Sequence, residues 1–301
     1  MARTSSLLEL EHLSADEITS FLKLARRMHS GKPRPLLRGK RIALLFYEAS
    51  TRTRVSFEFA AKLLGTHTSV INATASSIEK GESLVDTGKT LQALGSDCIV
   101  VRHPSSGAPL VLARNLHVPI INAGDGMHEH PSQALLDAYT ILRHKRSLKG
   151  LRITMVGDIQ HSRVVRSNVH LLSKFGAQII LCGPQELLPD YAASLAPGVK
   201  VSRHMEEAVR KADVVMMLRV QKERLAGLKL DANSYIAHYQ LTPERLKLAK
   251  SDAIVMHPGP MVRSMEIQSE VADGPQSVIE EQVHNGVYVR MAILASCLGV
   301  A

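Results

Sequence analysis

The chain has 301 residues, of which 45% are apolar and 22% are charged, a composition typical of a globular enzyme and unlike that of a disordered or fibrous protein. Its length exceeds what one hydrophobic core usually fills, so we expect two lobes. Three widely spaced cysteines form neither a disulfide framework nor a paired metal-binding motif, and no uncharged apolar run is long enough to span a bilayer. We therefore expect a cytoplasmic protein that is not bound to a membrane.

The formal net charge of +9 raises the question of a nucleic-acid partner. The densest basic runs, 26–41 and 143–152, look like connectors between elements, and aromatic residues make up only 4% of the chain, with no tryptophan. Stacking surfaces for single strands are therefore scarce. We expect no nucleic-acid partner, and small anionic substrates suit a positively charged protein equally well.

Short β-rich runs alternate along the chain with apolar residues at helical spacing. This alternation predicts parallel sheets flanked by helices, an α/β fold with two lobes. A polar stretch at 144–150 follows a long helical pattern and precedes a new strand. We place the domain boundary there, so that 1–144 with the C-terminal helix 285–301 form one domain and 145–284 the other. The candidate strands are 41–47, 67–73, 97–102, 118–123, 151–158, 177–183, 212–218 and 252–257.

The first candidate site follows the strand 41–47. Ser50 is a good N-cap, so Ser50 and Thr53 should lie at a helix N-terminus, where free N–H groups and the helix dipole favour an anion. Arg52 and Arg54 are two residues apart and cannot both face one ligand on a helix. Arg52 is the better candidate for a phosphate ligand. The alternative is a simple capped helix with solvated arginines.

A second candidate site lies in 122–142. Pro131 suits the first position of a helix, which places His130 at the cap and Gln133 in the first turn. The two side chains can converge beyond a strand end, although a capping histidine is often structural. A metal site is the other alternative, because His128 and His130 are close to acidic residues, but the spacing of known metal motifs is absent.

Three further candidate strands are followed by residues that suit a binding site. Arg163 follows 151–158, Arg219 follows 212–218, and a stiff turn with two prolines framing Gly259 follows 252–257. Scattered surface arginines would not favour strand exits, where ligands of parallel sheets bind. Signatures of an activated nucleophile, an acid/base carboxylate pair or a dinucleotide site are missing. The expected chemistry is positioning and electrostatic stabilisation of an anionic substrate, without a cofactor or a metal.

Six segments, in this order and spacing, resemble the carbamoyltransferase family and cover essentially the whole chain. STRTR and HPxQ are common to the family, RVQKER and HPGP are typical of its aspartate branch, and the HCLP and DxxxSMG motifs of the ornithine branch are absent. The segments are FYEASTRTRVSFEFAAKLLG, SSIEKGESLVDT, HEHPSQALLD, GDIQHSR, LRVQKER and MHPGP.

The resemblance implies transfer of the carbamoyl group from carbamoyl phosphate to the amine of L-aspartate, in de novo pyrimidine biosynthesis, by a homotrimer with shared active sites. It leaves open a regulatory chain or a dihydroorotase as a further partner. Two alternatives remain: a carbamoyltransferase for another amine such as ornithine, and a catalytically silent scaffold. Two arginines with a glutamine at the acceptor end favour a dicarboxylate over a cationic acceptor.

The resemblance also implies a role for each matching residue. Arg52, Thr53 and His130 would polarise the carbamoyl oxygen, and Gln133 would hold the carbamoyl amino group. Ser76 and Lys80 would reach into the site of the neighbouring subunit. The carbamoyl phosphate ligands would be Ser50, Thr51, Arg52, Thr53, Arg102, His130, Gln133, Ser76 and Lys80; the aspartate ligands would be Arg163, Arg219, Gln221 and the main chain of Pro258 and Gly259; Glu48, Arg163 and Arg224 would act in domain closure.

Overall fold

A computed structural model describes residues 5–32, 34–72, 81–220 and 230–300. The chain divides into two compact units, Met1–Tyr139 with Val283–Ala301, and Thr140–Gln282. Each unit is built around a parallel sheet flanked by helices, which confirms the predicted α/β fold class. The strands among the described residues are Arg41–Phe46 (β1), His67–Asn72 (β2), Cys98–His103 (β3), Ile120–Asp125 (β4), Arg152–Val156 (β5), Gln178–Cys182 (β6), Lys200–Ser202 (β7), Val214–Met217 (β8) and Ile254–Met256 (β9).

The helices begin at residues that the sequence marks as helix starts. Ser14 caps α1 in a reciprocal arrangement with Glu17, and Ser83, Ser162 and Asp231 each accept a capping bond from a backbone N–H of the first turn. The α-helices among the described residues are Ala15–Ser30 (α1), Thr51–Leu63 (α2), Leu84–Ala93 (α3), Ala108–Asn115 (α4), Pro131–His144 (α5), Arg163–Lys174 (α6), Met205–Val209 (α7), Ala232–Tyr239 (α8), Pro243–Leu246 (α9), Ser269–Ala272 (α10) and Ile279–Cys297 (α11), and Asp190–Leu195 forms a 3-10 helix.

The sheet of the first unit has the strand order β2-β1-β3-β4, and every pairing is parallel. The central strands are buried from residue 42 to 46 and from 98 to 101, as expected for a sheet covered on both faces. Leu7 extends the sheet beyond β4: its N–H donates to the carbonyl of Ile120, and its carbonyl accepts from the N–H of Asn122. The residues that follow β1, β3 and β4 lie at one edge of this sheet.

The sheet of the second unit has the strand order β7-β6-β5-β8-β9 and is also parallel throughout. Gly157 follows β5 with φ +134°, and a Cβ there would lie 3.0 Å from the carbonyl oxygen of Leu218 after β8. Glycine therefore allows the exits of β5 and β8 to approach each other closely. Because β9 is next to β8, the exits of these three strands share one edge of the sheet.

Each of the eight predicted strands overlaps an observed strand, with ends that differ by at most two residues. One of the strands among the described residues, β7, was not predicted, because it has only three residues and lies at the edge of its sheet. Within the described ranges, the structure contains no helix that combines the length and the apolar character needed to cross a bilayer.

Candidate active site

The N-terminus of α2 presents a half-buried arginine, Arg52, one of whose nitrogens has no hydrogen-bond partner among the described residues. Ser50 occupies the N-cap, but among the described residues its hydroxyl makes no capping bond, and the first turn of a helix has N–H groups without intrahelical partners. Nη1 of Arg52 is buried and has no hydrogen-bond partner in the described part of the chain. Burial lowers the pKa of Arg52, because desolvation disfavours the charged guanidinium. Together the first-turn N–H groups and Arg52 form a site suited to an anion.

Arg102 joins this site from the end of β3. Its Nη1 donates to Oγ of Ser50 at 3.3 Å, and its Nε donates to Oε2 of Glu48 at 3.1 Å. Ser50 and Arg102, two of the predicted ligands of carbamoyl phosphate, are therefore in contact. Glu48, which the resemblance places in domain closure, forms this ion pair within its own unit.

The start of α5 brings the second predicted group to the first. The helix begins at Pro131, as predicted, and Thr53 and His130 are only 5% and 4% exposed. Oγ1 of Thr53 lies 3.4 Å from Nε2 of His130, and Oγ of Ser132 lies 3.4 Å from its Nδ1. Two segments that are far apart in the sequence thus place a hydroxyl and an imidazole side by side.

Gln133, also predicted as a ligand, lies in the first turn of α5 and is 7% exposed. Its Nε2 donates to Oδ1 of Asp137 at 2.9 Å. The side-chain amide is therefore held by a residue one helical turn further on.

The acidic residues near His128 and His130 accept hydrogen bonds from backbone N–H groups. Asp125 accepts from the N–H of Gly107 at 2.7 Å, and Glu129 accepts from the N–H of Leu10 at 2.9 and 3.0 Å. His128 pairs with Asp125, Nδ1 to Oδ2 at 3.1 Å. In the ranges that the structure describes there is no cluster of three or more His, Cys, Asp or Glu side chains arranged to hold a metal ion.

In the second unit, the predicted acceptor ligands follow three neighbouring strands. Arg163 is the first residue of α6, where Ser162 caps the helix by accepting from the N–H of Val165 at 3.2 Å. Arg219 is exposed and lies two residues beyond β8, and Pro258 and Gly259 are half-buried just beyond β9. All of them lie beyond the carboxyl ends of their strands, on one edge of the sheet.

A buried pair that the sequence analysis missed holds the turn after β9. The N–H of Gly259 donates to Nδ1 of His257 at 2.8 Å, so Nε2 carries the proton and donates to Oε1 of Glu266 at 3.1 Å. Both side chains are 0% exposed, and the N–H of Val262 donates to the same carboxylate oxygen. One signal was available, since Glu266 stands between the apolar residues Met265 and Ile267.

Four predicted site residues lie outside the described residues, and their positions stay predictions. Ser76 and Lys80 belong to the predicted loop that reaches the neighbouring subunit. Gln221 and Arg224 belong to the segment that follows Arg219.

Comparison with known proteins identifies the family of both units. Residues 5–143 match the model of the aspartate/ornithine carbamoyltransferase carbamoyl-P binding domain, and residues 149–297 match the model of the Asp/Orn binding domain. The chain is 63% identical over 293 residues to the aspartate carbamoyltransferase catalytic subunit of Koribacter versatilis (strain Ellin345), covering 97% of each protein.

Solved structures agree with the sequence matches. The ornithine carbamoyltransferase from Pyrococcus furiosus is 31% identical, with a TM-score of 0.88 over 98% of this chain and 97% of that one. The aspartate transcarbamoylase from Trypanosoma cruzi in complex with N-(phosphonacetyl)-L-aspartic acid is 33% identical, with a TM-score of 0.88 over 98% and 96%. The chain belongs to the aspartate/ornithine carbamoyltransferase family.

Proposed function

We propose that the chain transfers the carbamoyl group of carbamoyl phosphate to the amine of L-aspartate, which gives N-carbamoyl-L-aspartate and phosphate, the reaction of de novo pyrimidine biosynthesis. The prediction of a carbamoyl group transferase is confirmed by the family. The aspartate acceptor is supported by the aspartate carbamoyltransferase catalytic subunit of Koribacter versatilis, which is 63% identical to this chain, whereas the ornithine carbamoyltransferase from Pyrococcus furiosus is 31% identical. The observation that carries the proposal is the buried nitrogen of Arg52 at a helix N-terminus, which has no hydrogen-bond partner within the described ranges.

The donor phosphate would bind at the start of α2. Ser50, Thr51 and Thr53 contribute hydroxyl and backbone N–H groups, and Arg52 and Arg102 contribute charge-assisted hydrogen bonds. The contact between Arg102 and Ser50 supports this assignment, because it brings the strand β3 to the N-cap of α2. Ser76 and Lys80 of the neighbouring subunit would complete the phosphate site.

The carbamoyl group would lie between α2 and α5. The neutral amine of aspartate attacks the carbamoyl carbon, and a tetrahedral oxyanion forms against Arg52, Thr53 and His130. The bond from the carbamoyl carbon to the phosphate oxygen then breaks, and phosphate leaves from the N-terminus of α2 with the proton that the amine loses. The adjacent positions of Thr53 and His130 support this oxyanion site. One such donor typically stabilises the transition state by about 3 kcal/mol. Gln133 would accept a hydrogen bond from the carbamoyl amino group.

The aspartate would bind at the strand exits of the second unit. Arg163, Arg219 and Gln221 would bind its carboxylates, and the main chain of Pro258 and Gly259 would contact its amine. The buried pair His257 and Glu266 supports the last assignment, because it fixes the turn that carries this main chain. Glu48, Arg163 and Arg224 would take part in domain closure.

The homotrimer, the shared active site and the cytoplasmic location are part of this proposal. A neighbouring subunit is required if Lys80 acts in its site, and the family resemblance implies that the assembly is a trimer. The three cysteines, Cys98, Cys182 and Cys297, are buried free thiols, as expected for a reducing compartment. No step of the proposed reaction needs a cofactor.

The test is a carbamoylation assay in which aspartate and ornithine are offered separately, each with carbamoyl phosphate. We expect product with aspartate, and tight binding of N-(phosphonacetyl)-L-aspartic acid measured by calorimetry. Product with ornithine alone would overturn the assignment of the acceptor. A chain that neither turns over nor binds the bisubstrate compound would be the silent scaffold.

A further inference from the structure

Asp137 is a fully buried carboxylate next to Gln133, the predicted ligand of the carbamoyl amino group. Asp137 is 0% exposed and lies four residues after Gln133 on α5, so the two side chains face the same side of the helix. Nε2 of Gln133 donates to Oδ1 of Asp137 at 2.9 Å. A carboxylate only accepts hydrogen bonds, so it selects the NH2 end of the glutamine amide and leaves the carbonyl oxygen, Oε1, for another donor.

A buried arginine from the C-terminal helix compensates the charge of Asp137. Arg290 on α11 is 3% exposed, and the Asp137 carboxylate acts on it electrostatically. Burial nevertheless lowers the pKa of Arg290 to about 10, so its guanidinium stays charged at neutral pH. An ionised carboxylate in the interior requires such a partner.

Phe57 and Gly286 lie next to the guanidinium of Arg290. Its Cζ lies 5.2 Å from the centre of the Phe57 ring on α2. A Cβ at Gly286, one turn earlier on α11, would lie 2.4 Å from Nη1 of Arg290 and 3.2 Å from Cδ2 of Leu136, so the missing side chain of Gly286 leaves room for the guanidinium in this position. Arg290 thus contacts α2, whose N-terminus carries Arg52 and Thr53, and acts on the carboxylate that orients Gln133.

We infer that Asp137, whose charge Arg290 compensates, is the positioning residue that sets donor specificity: it fixes the amide of Gln133 so that a carbonyl oxygen, and not an NH2 group, faces the amino group of the carbamoyl donor. This inference rests on the proposed function. An acceptor in that position favours a donor that carries an NH2 group over one that carries a methyl group of the same size. Carbamoyl phosphate and acetyl phosphate differ in this group alone.

The test compares the dissociation constants of carbamoyl phosphate and acetyl phosphate for the whole protein. Asp137→Asn has the same size, but its side chain can accept from or donate to Gln133, so the glutamine amide is free to turn over. We expect the preference for carbamoyl phosphate to fall about three- to tenfold, the range of a typical neutral hydrogen bond. Gln133→Met, which has no acceptor, sets the lowest preference that the site can reach.

Two controls separate positioning from loss of stability. Asp97→Asn removes a carboxylate of the same unit that accepts from Lys40 and from the N–H of Arg41, both at 2.8 Å, and should leave the preference unchanged. Asp137→Asn leaves Arg290 without its charge partner, and if this variant does not fold, the double variant Asp137→Asn with Arg290→Met removes both charges. We expect the same loss of preference in the double variant.

The outcomes decide between the inference and the proposed function. A wild-type chain that does not prefer carbamoyl phosphate would contradict the proposed function. A wild-type preference that Asp137→Asn and the double variant both retain would overturn the inference alone. Equal weakening of both phosphates would assign Asp137 a purely structural role and would overturn it too.

Discussion

Glu48 accepts a hydrogen bond from Arg102, Oε2 to Nε at 3.1 Å, at the edge of the sheet where the donor phosphate is proposed to bind. The acid therefore occupies one donor group of an arginine that the phosphate would also use. A phosphate that enters the site meets both the attraction of Arg102 and the repulsion of Glu48.

Replacement of Glu48 by glutamine is expected to separate these effects. Inorganic phosphate should bind about three- to tenfold more tightly, because a negative charge next to Arg102 is lost while an acceptor of the same shape remains. If Glu48 also acts in domain closure, the KM for aspartate should rise in the same variant. Calorimetry with phosphate and steady-state kinetics measure the two effects. Weaker phosphate binding would instead mean that Glu48 positions Arg102.

Replacement of Arg52 by alanine should reduce kcat by a factor of about 100 or more, which corresponds to about 3 kcal/mol of transition-state stabilisation. The KM for aspartate should change little, because its proposed ligands lie in the other unit. Arg52→Lys keeps the charge but not the planar pair of donors, and should recover only part of the rate. Single-turnover kinetics give the rate of the chemical step, and an unchanged rate would refute the assignment of Arg52.

A mixing experiment tests the shared site. Chains with Arg52→Ala and chains with Lys80→Ala should each be inactive, and hybrid trimers made from both should recover activity, since some of their sites contain an intact Arg52 and an intact Lys80. A mixture of Arg52→Ala with His130→Ala is the matched control. Those two residues would act from the same chain, so no hybrid site is intact. Equal activity of the two mixtures would contradict a Lys80 that acts in the neighbouring site.

His128 is expected to stabilise the fold in a pH-dependent way. Its hydrogen bond to the Asp125 side chain raises the pKa of His128, against the smaller opposing effect of burial. The stabilisation is therefore fully present below the ordinary pKa of histidine and is lost as the pH rises through the higher pKa of the folded state. Denaturant unfolding should show that His128→Gln destabilises the protein more at about pH 6 than at about pH 8.5.

Asp125, the acid that pairs with His128, does not reverse this pH dependence of stability. Burial raises the pKa of Asp125, but the hydrogen bonds from His128, Asn122 and Gly107 outweigh burial and lower it overall, so Asp125 stays ionised at both pH values. His117, an exposed histidine of the same unit, provides the control. If His117→Gln and His128→Gln show the same pH dependence, the pairing with Asp125 has no effect on stability.

The sequence was most informative where a local pattern determines the structure. The start of α2 at Thr51, directly after the predicted N-cap position Ser50, and of α5 at Pro131, with proline at the first helical position, agrees with these local signals, although the Ser50 hydroxyl makes no capping bond among the described residues. Strand exits indicated where polar side chains gather. The identity of the anion did not follow from the pattern, because a helix N-terminus binds any small anion. That assignment came from the family resemblance.

The supporting contacts could not be predicted in the same way. Arg290 reaches Phe57 from the other end of the chain, and no local rule relates a C-terminal helix to the first site helix. The pair of His257 and Glu266 is close in sequence, but its hydrogen bonds depend on a turn whose backbone was not predictable. The i, i+4 spacing of Gln133 and Asp137 was visible in the sequence, yet without the burial of Asp137 it did not stand out.

The carboxylate of Glu129 binds the N–H groups of Leu10 and Glu11, 119 and 118 residues earlier in the chain, and Glu129 directly precedes His130. Detachment of the N-terminal segment would therefore remove these two N–H donors from a buried carboxyl group next to the proposed oxyanion site. Fraying of a chain end, usually harmless, would here disturb His130, the proposed catalytic histidine. The hydrogen-exchange rates of the Leu10 and Glu11 amide protons therefore report whether the contact that supports the segment around His130 is formed.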